Sequence, residues 1–354
     1  MKKIMIVAAA LALTQYSFSQ VADSTKKVSP PVTITGSVDG YYRYDFNNPK
    51  TSPYNSLTSF THSSNSFELG MASIRADHSF GKVSATVDLG FGKRAEEFTY
   101  NDANTRLAIK QLYVTYAPSN KVKFTFGTWG THVGYEVLDP YLNRNYSMSY
   151  MFTNGPFSHT GFKADISLGG KNAIMVGIAN PTDYRSAPGA PKTFIAQFST
   201  SSTNDKLKAY FNFTDGKQNN FKKVVQGDIV ATYAVSTQFS IGVNGTIQSI
   251  KADLDSTGTF NKKATWYGAA VYLNYDPTAW FGVTLRGEYI GDKDGYLGLK
   301  HVFAPTLSGN FKIDNLMIIP EFRLDNAGNE VFYKNATETT KSTGSFVLAV
   351  VYHF

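Results

Sequence analysis

Apolar and polar residues alternate along most of this chain with a period of two. From Val32 to Phe46, the even positions are apolar, aromatic or glycine, and the odd positions are mostly polar. Successive side chains of a β-strand point to opposite faces, so the stretch predicts a strand with one apolar and one polar face. The same alternation recurs in segments that begin at Val83, Val122, Phe162, Leu207, Phe239, Tyr267 and Phe281.

Weaker alternation predicts further strands near 66–80, 107–117, 172–179, 193–200, 226–234, 298–312 and 315–324. The last nine residues, Phe346–Phe354, form a closing strand with an apolar residue at every second position. The total is sixteen strands, and fourteen is the alternative because the patterns at 66–80 and 298–312 are poor. The second face of the closing strand, which includes Val347 and Ala349, is also apolar. We therefore expect either the segment 20–31 or an inward loop to cover it.

The connections between these strands alternate between short and long. Tight turns such as Gly81-Lys82 and Asp314-Asn315 are followed by longer polar segments such as Asn47–Asn65 and Thr214–Phe221. A soluble β-sandwich has no reason to sort its loops in this way, whereas a transmembrane up-and-down β-barrel has short turns on one side and long loops on the other. The pattern favours an all-β fold, an antiparallel transmembrane barrel. Its longest connection is Trp129–Ser158.

The composition fits a barrel. Only 42% of the residues are hydrophobic, but 14% are aromatic, with 22 Tyr, 26 Phe and 3 Trp. A barrel strand needs an apolar residue only at each outward position, and aromatic residues form girdles at the two membrane interfaces. The chain has no Cys, which excludes thiolate metal sites and cysteine catalysis.

The amino terminus indicates export from the cytoplasm. Lys2 and Lys3 precede the apolar run Ile4–Leu13, and Ser17-Phe18-Ser19 supplies small residues before Gln20. This order predicts a signal peptide over residues 1–19, a periplasmic lead-in over 20–31 and a barrel in the cell outer membrane over 32–354. Without the two leader lysines, 32 of the 34 basic residues remain, compared with 27 acidic residues. No basic run accompanies this balance, so nucleic acid is not an expected partner.

Several motifs in the longest connection resemble the OmpL-like β-barrel porins. They are Gly134-Tyr135-Glu136-Val137, Asp139-Pro140, the run from Asn145 to Tyr150, Gly155-Pro156-Phe157 and His159-Thr160-Gly161. The resemblance implies an outer-membrane porin-type barrel and supplies no catalytic residues. A strand that ends on Phe354 also resembles the closing strand of outer-membrane barrels, whose terminal aromatic residue is read by the barrel-insertion machinery.

In a sixteen-stranded barrel, the longest connection occupies the place where general porins fold a loop inward. Its ionisable residues and those beside it are candidates for a pore constriction: His132, Glu136, Asp139, Arg144 and His159. Opposed charges at a constriction would act on a permeating solute. The alternative is that these side chains pair with the wall and hold the loop in place, and both roles are compatible.

The inward positions of the strands carry seven basic and seven acidic candidates for the lumen wall. The basic ones are Arg43, Lys123, Lys163, Lys208, Arg286, Lys300 and Arg323; the acidic ones are Asp39, Asp45, Asp88, Asp165, Asp228, Glu288 and Glu321. A strongly selective pore usually has a lining of one sign. The balance predicts a weakly selective, water-filled lumen or a lumen crossed by ion pairs.

These observations favour passive diffusion of small hydrophilic solutes through a barrel narrowed by residues 129–158. The alternative is a non-conducting barrel used for adhesion, binding or structure. The six histidines lack metal-ligand spacing and no nucleophile and base can be paired, so we expect neither an enzyme nor a cofactor. Outer-membrane lipid and the barrel-insertion machinery are the expected partners. A homotrimer is a possible assembly, since sixteen-stranded porins are often trimers.

Overall fold

A computed structural model of the chain describes residues 29–219, 222–252 and 262–354. The predicted signal peptide and most of the predicted lead-in lie outside these residues. No helix within the described ranges is both long enough and apolar enough to cross a membrane.

Sixteen antiparallel strands form one closed barrel, in which each strand pairs with its neighbours in the chain. The strands are β1 Thr33–Asp45, β2 Ser66–Phe80, β3 Val83–Phe91, β4 Ile109–Tyr116, β5 Val122–Gly130, β6 Ser158–Gly169, β7 Asn172–Ala179, β8 Thr193–Ser201, β9 Leu207–Asn219, β10 Lys222–Ala234, β11 Phe239–Ala252, β12 Lys262–Tyr275, β13 Phe281–Asp292, β14 His301–Ile313, β15 Leu316–Ala327 and β16 Ser342–His353. The predicted up-and-down barrel of sixteen strands is confirmed, and the alternative of fourteen is wrong.

The long connections contain the remaining regular structure. They hold helices α1 Lys93–Phe98 and α2 Tyr150–Asn154, 3₁₀ turns at Asn104–Ala108 and Pro140–Leu142, and a small hairpin that pairs Phe332–Tyr333 with Thr339–Thr340. The tight turns lie at the opposite end of the barrel. Outer-membrane barrels keep their short turns on the periplasmic side, so we refer to the tight-turn end as periplasmic and to the other end as extracellular.

β16 closes the barrel against β1. Residues Ser37–Asp45 pair with the closing strand in continuous register, with Tyr41 opposite Ala349. Beyond this ladder, Gly36 and Phe354 exchange two backbone hydrogen bonds of 3.0 Å. Closure leaves none of the sixteen described strands with an unpaired edge, which is a requirement for a sheet in hydrocarbon.

Side-chain exposure follows the predicted alternation. On β12, Trp266, Ala270 and Tyr272 face inward and are buried, whereas Tyr267 and Val271 face outward and are exposed. Exposed apolar and aromatic side chains cover the outward positions of the other strands as well. The outer surface therefore meets the requirement of a lipid-facing wall.

One predicted loop is wrong. The sequence predicts a polar connection over Thr214–Phe221, but β9 continues to Asn219 and β10 begins at Lys222. The two strands stay in register well beyond the apolar band, for example with Val225 opposite Asp215. Hydrogen bonding to the neighbouring strand continues there without an apolar outer face, so hydrophobic alternation marks the end of the lipid contact and not the end of the strand.

Candidate functional site

The connection between β5 and β6, residues 131–157, folds into the barrel and is called the inward loop below. Glu321 on β15 accepts hydrogen bonds from the backbone amides of Tyr146 and Ser147, at 2.8 and 3.1 Å. Glu288 on β13 accepts from the amides of Tyr150 and Met151, at 2.9 Å each. Each carboxylate pairs two backbone N–H groups that are buried away from water. These two predicted wall residues therefore hold the backbone of the inward loop.

A buried ion pair joins the inward loop to β13. The guanidinium of Arg286 lies 2.6 Å from the carboxylate of Glu136, and their side chains are 0% and 4% exposed. Arg286 also donates to the carbonyl of Ser147 at 2.7 Å. Glu136 also accepts from the amide of Ser149 at 2.7 Å and from the hydroxyl of Tyr272 at 3.2 Å. The charge of Glu136, a predicted constriction residue, is thus compensated inside the contact between loop and wall.

Two more wall arginines are buried beside the loop. Arg323 pairs with Asp325 at 2.8 Å and donates to the carbonyl of Met148 at 2.7 Å. Arg43 pairs with Asp45 at 3.2 Å. A cavity of about 10 Å³ lies between Arg43 and Arg323, which is room for about one water molecule. The side chains of Arg43 and Arg323 are buried, so little of either can contact a solute.

Lys110 on β4 is a lumen residue that the sequence pattern misses. The register between β3 and β4 shifts after Asp88, where Lys110 is the extra residue of a β-bulge. The bulge lets the ammonium group lie 3.1 Å from Asp88 and bond Asp139 of the inward loop. Period-two counting fails at a bulge because the extra residue changes which positions face inward.

Arg144 extends from the inward loop to the periplasmic end of the barrel. Its guanidinium forms two hydrogen bonds to the carboxylate of Asp276, one of 3.0 Å, and a third to Thr284 at 2.9 Å. Asp276 begins the turn after β12, and Lys312 of β14 lies 3.7 Å from the same carboxylate. These three charged side chains stay partly exposed.

The two histidine candidates meet where the loop joins the wall. The ring centroids of His132 and His159 lie 5.0 Å apart, and Nε2 of His159 lies 3.1 Å from the hydroxyl of Thr131. His159 is buried. The structure brings both residues to the base of the inward loop and not to an open passage.

The wall of β5, β6 and β9 is more open. Lys123 and Lys163 lie 3.3 and 3.5 Å from the carboxylate of Asp165, and all three side chains are partly exposed. The ammonium of Lys163 also lies 5.4 Å from the ring centre of Trp129. Lys208 faces inward near the periplasmic end of β9 and is half-buried.

The prediction of Lys300 as a wall residue is wrong. Lys300 precedes β14, which begins at His301, and its side chain is exposed in the extracellular connection. Its φ of 62° is outside the extended region. Side-chain alternation applies only to extended backbone, so the parity of β14 does not carry back to this residue.

The apolar inner face of β16 is covered, as predicted, and the inward loop is what covers it. Val347, Ala349 and Val351 are buried in one cluster with Tyr146. The ring of Tyr141 stacks on His353 with centroids 5.0 Å apart. The apolar inner face is therefore a docking surface for the loop.

Arg94 on α1 has no counterpart among the predicted site residues. Its side chain is fully buried, and the guanidinium lies 4.8 Å from the ring centres of both Phe60 and Tyr146. It donates to the carbonyls of Leu138 and Tyr146 at 3.2 and 3.4 Å. The extracellular connection that contains α1 thus packs against the inward loop. No sequence spacing marks this contact.

Asp183, in the connection between β7 and β8, holds the end of the inward loop. One carboxylate oxygen accepts from the amides of Phe157 and Ser158, at 2.7 and 2.8 Å. The other accepts from the hydroxyl of Tyr100 at 3.0 Å. Burial raises the pKa of Asp183 to about 6, against these hydrogen bonds and the nearby charge of Arg185, which lower it.

Solved structures share this architecture. DcaP, an outer-membrane channel of Acinetobacter baumannii, aligns with a TM-score of 0.64 at 12% identity, over 94% of this chain and 100% of that one. The anion-selective porin from Comamonas acidovorans aligns with a TM-score of 0.62 at 10% identity, over 92% and 99%. OmpT of Vibrio cholerae aligns with a TM-score of 0.59 at 10% identity, over 94% and 100%. At these identities the likeness establishes a shared fold. No curated protein matches the sequence.

A closed sixteen-stranded barrel with an apolar outer wall and a loop folded into its lumen defines an outer-membrane β-barrel of the porin class. The chain belongs to the family described as "Putative beta-barrel porin-2, OmpL-like", whose profile matches residues 31–354. The resemblance seen in the motifs of the inward loop is thereby confirmed, and so is the outer membrane as the location.

Proposed function

We propose that the protein conducts small hydrophilic solutes passively across the outer membrane, through a lumen that the inward loop narrows. One observation carries the proposal: the inward loop is bound to the wall at many points, but partly exposed polar and charged residues remain along the periplasmic half of β5–β9. Inward-facing polar side chains keep a lumen wet. The role of the loop is to set the width of the passage.

The five constriction candidates divide into two groups under this proposal. Glu136, His132 and His159 fasten the loop, since each lies in contact with the wall or at its base. Asp139 and Arg144 are partly exposed and are the two that a solute would meet. Removal of residues 135–157 should widen the lumen. The deletion variant should therefore show a step conductance several times that of the full-length protein in a planar bilayer.

A second candidate function has an observation in its favour. On β13 and β15 the charged inward residues are buried in contacts with the loop, as expected for a barrel that does not conduct and serves adhesion or structure. Conductance separates the two. A folded full-length protein without step conductance would support the filled barrel.

Assembly follows from the same proposal. We infer that the signal peptide is removed after Ser19 and that Phe354 is the residue read by the insertion machinery. The side chain of Phe354 is exposed on the outer surface while its backbone pairs with Gly36, so it is available to another protein before closure. A homotrimer is the proposed assembly, to be tested by the mass of the detergent-solubilised protein in light scattering.

A further inference from the structure

We propose that the accessible lumen is a basic half-channel along β5–β9, which makes the pore favour small anions over cations. The inference deepens the proposed function, since it names the class of solute, and it rests on the protein being a conducting pore. It follows from which charges of the wall water can reach.

The predicted wall has equal numbers of basic and acidic residues, but the residues that water can reach in the structure are not equal in number. The three arginines and six of the seven acids are buried, with exposures of 0–7%; these are Arg43, Arg286, Arg323, Asp39, Asp45, Asp88, Asp228, Glu288 and Glu321. Ion pairs hold the three arginines, Asp45 and Asp88, whereas the other four acids accept hydrogen bonds from backbone amides and neutral side chains. Because all nine side chains are shielded from lumen water, a permeating ion contacts only the remaining, accessible charges. Lys300 lies outside the wall. The remaining predicted charges are three lysines, Lys123, Lys163 and Lys208, and one acid, Asp165.

Some partly exposed charged residues were not among the predicted wall residues, and they leave the net positive charge of the accessible lumen unchanged. They are the pair Arg75 and Asp77, the group of Arg144, Asp276 and Lys312, and Asp139. They add three basic and three acidic residues. The partly exposed inward charges among the described residues on the periplasmic side of the loop thus number six basic and four acidic. The surplus of two basic charges belongs to β5–β9.

The geometry at Asp165 shows why this surplus persists. Lys123 lies directly across from Asp165 on the neighbouring strand, and Lys163 lies two residues before it on the same strand. One carboxylate therefore serves two ammonium groups, at 3.3 and 3.5 Å. The group carries a net positive charge, and low-dielectric walls focus such a field into the lumen.

The periplasmic rim repeats the asymmetry. The turns that connect β4–β9 carry three exposed or half-exposed lysines, Lys121, Lys171 and Lys206, and one acid, Asp205, which pairs with Lys171. The turns on the opposite side of the rim carry Asp276 and Asp314. Anions would meet positive charge from the rim to the wall along β5–β9.

Reversal potential in a planar bilayer tests the inference. With a tenfold gradient of potassium chloride, the wild-type protein should show a chloride-to-potassium permeability ratio above 1. In the triple variant Lys123→Gln, Lys163→Gln and Lys208→Gln, three accessible bases would face four acids, so the ratio should fall below 1. The matched control replaces three exposed lysines of extracellular connections, Lys293→Gln, Lys300→Gln and Lys341→Gln, and should keep the wild-type ratio.

A wild-type ratio of 1 or less would overturn the inference while leaving the proposed porin intact. An unchanged ratio in the lumen triple variant, or an equal fall in the control, would also overturn it. Absence of conductance in the folded wild type would overturn both the inference and the proposed function. Because conductance itself reports a folded barrel, a variant that conducts gives an answer on selectivity.

Discussion

The substitution Arg286→Met tests whether the inward loop is fixed by buried charge. It removes the guanidinium that pairs with Glu136 at 2.6 Å and that donates to the carbonyl of Ser147 at 2.7 Å. Met has a similar length and adds no charge. Glu136 keeps the amide of Ser149 and the hydroxyl of Tyr272 as donors, but its charge is no longer compensated.

The expected cost is large. Breaking a buried ion pair by removing one partner typically destabilises a protein by about 3 to 5 kcal/mol, because a buried charge is left without its partner. Because Glu136 retains two hydrogen bonds, the expected destabilisation is about 3 kcal/mol. The pair joins the loop to the wall, so the loss falls on loop docking. Arg286→Met should therefore release the loop and raise the conductance.

The assay combines urea unfolding in detergent with single-channel recording. The double variant Glu136→Gln and Arg286→Met carries neither charge and should recover most of the lost stability. As a control, Lys334→Met removes an exposed lysine that pairs with Glu338 at 3.5 Å, and such pairs contribute about 0–1 kcal/mol. If Arg286→Met costs no more than Lys334→Met and leaves the conductance unchanged, buried charge does not hold the loop.

Three further outcomes are expected. Because its pKa is raised to about 6, Asp183 binds a proton more tightly in the folded protein than in the unfolded chain, so stability should fall as pH rises from about 4 to about 6. In Asp183→Asn, the urea concentration at the unfolding midpoint should vary less with pH over that range. Ala349→Leu, at a buried position beneath the inward loop, should cost about 1 to 3 kcal/mol by overpacking, whereas Ala269→Leu on an outward face should cost almost nothing. Deletion of Phe354 should reduce the folded protein recovered from outer-membrane fractions, and an unchanged yield would remove its role as the insertion signal.

The strand pattern is readable from the sequence because lipid imposes a demand on every second residue. The outward faces of β1 and β12 must be apolar wherever they meet hydrocarbon, so their period is visible without any knowledge of partners. Beyond the lipid contact that demand ends. The alternation therefore does not predict the extension of β9 to Asn219. Lys300 lies in the same kind of region, and its positive φ breaks the alternation that would make it face inward.

The candidate site is less readable because its contacts join distant parts of the chain. Glu288 and Glu321 were predicted as inward charges from parity alone, but nothing in the sequence shows that they bind loop amides 138 and 175 positions away. Lys110 was missed because a bulge breaks the parity. An equal count of charges could not reveal that one wall is buried and the other exposed, which is the difference that matters to a solute.

Planar-bilayer recording of the purified, folded protein beside the variant that lacks residues 135–157 tests the central claim most directly. A porin narrowed by its inward loop should give a small step conductance in the full-length protein and one several times larger in the deletion variant. A folded full-length barrel that never conducts would contradict the account, and so would a deletion variant whose steps are no larger than those of the full-length protein.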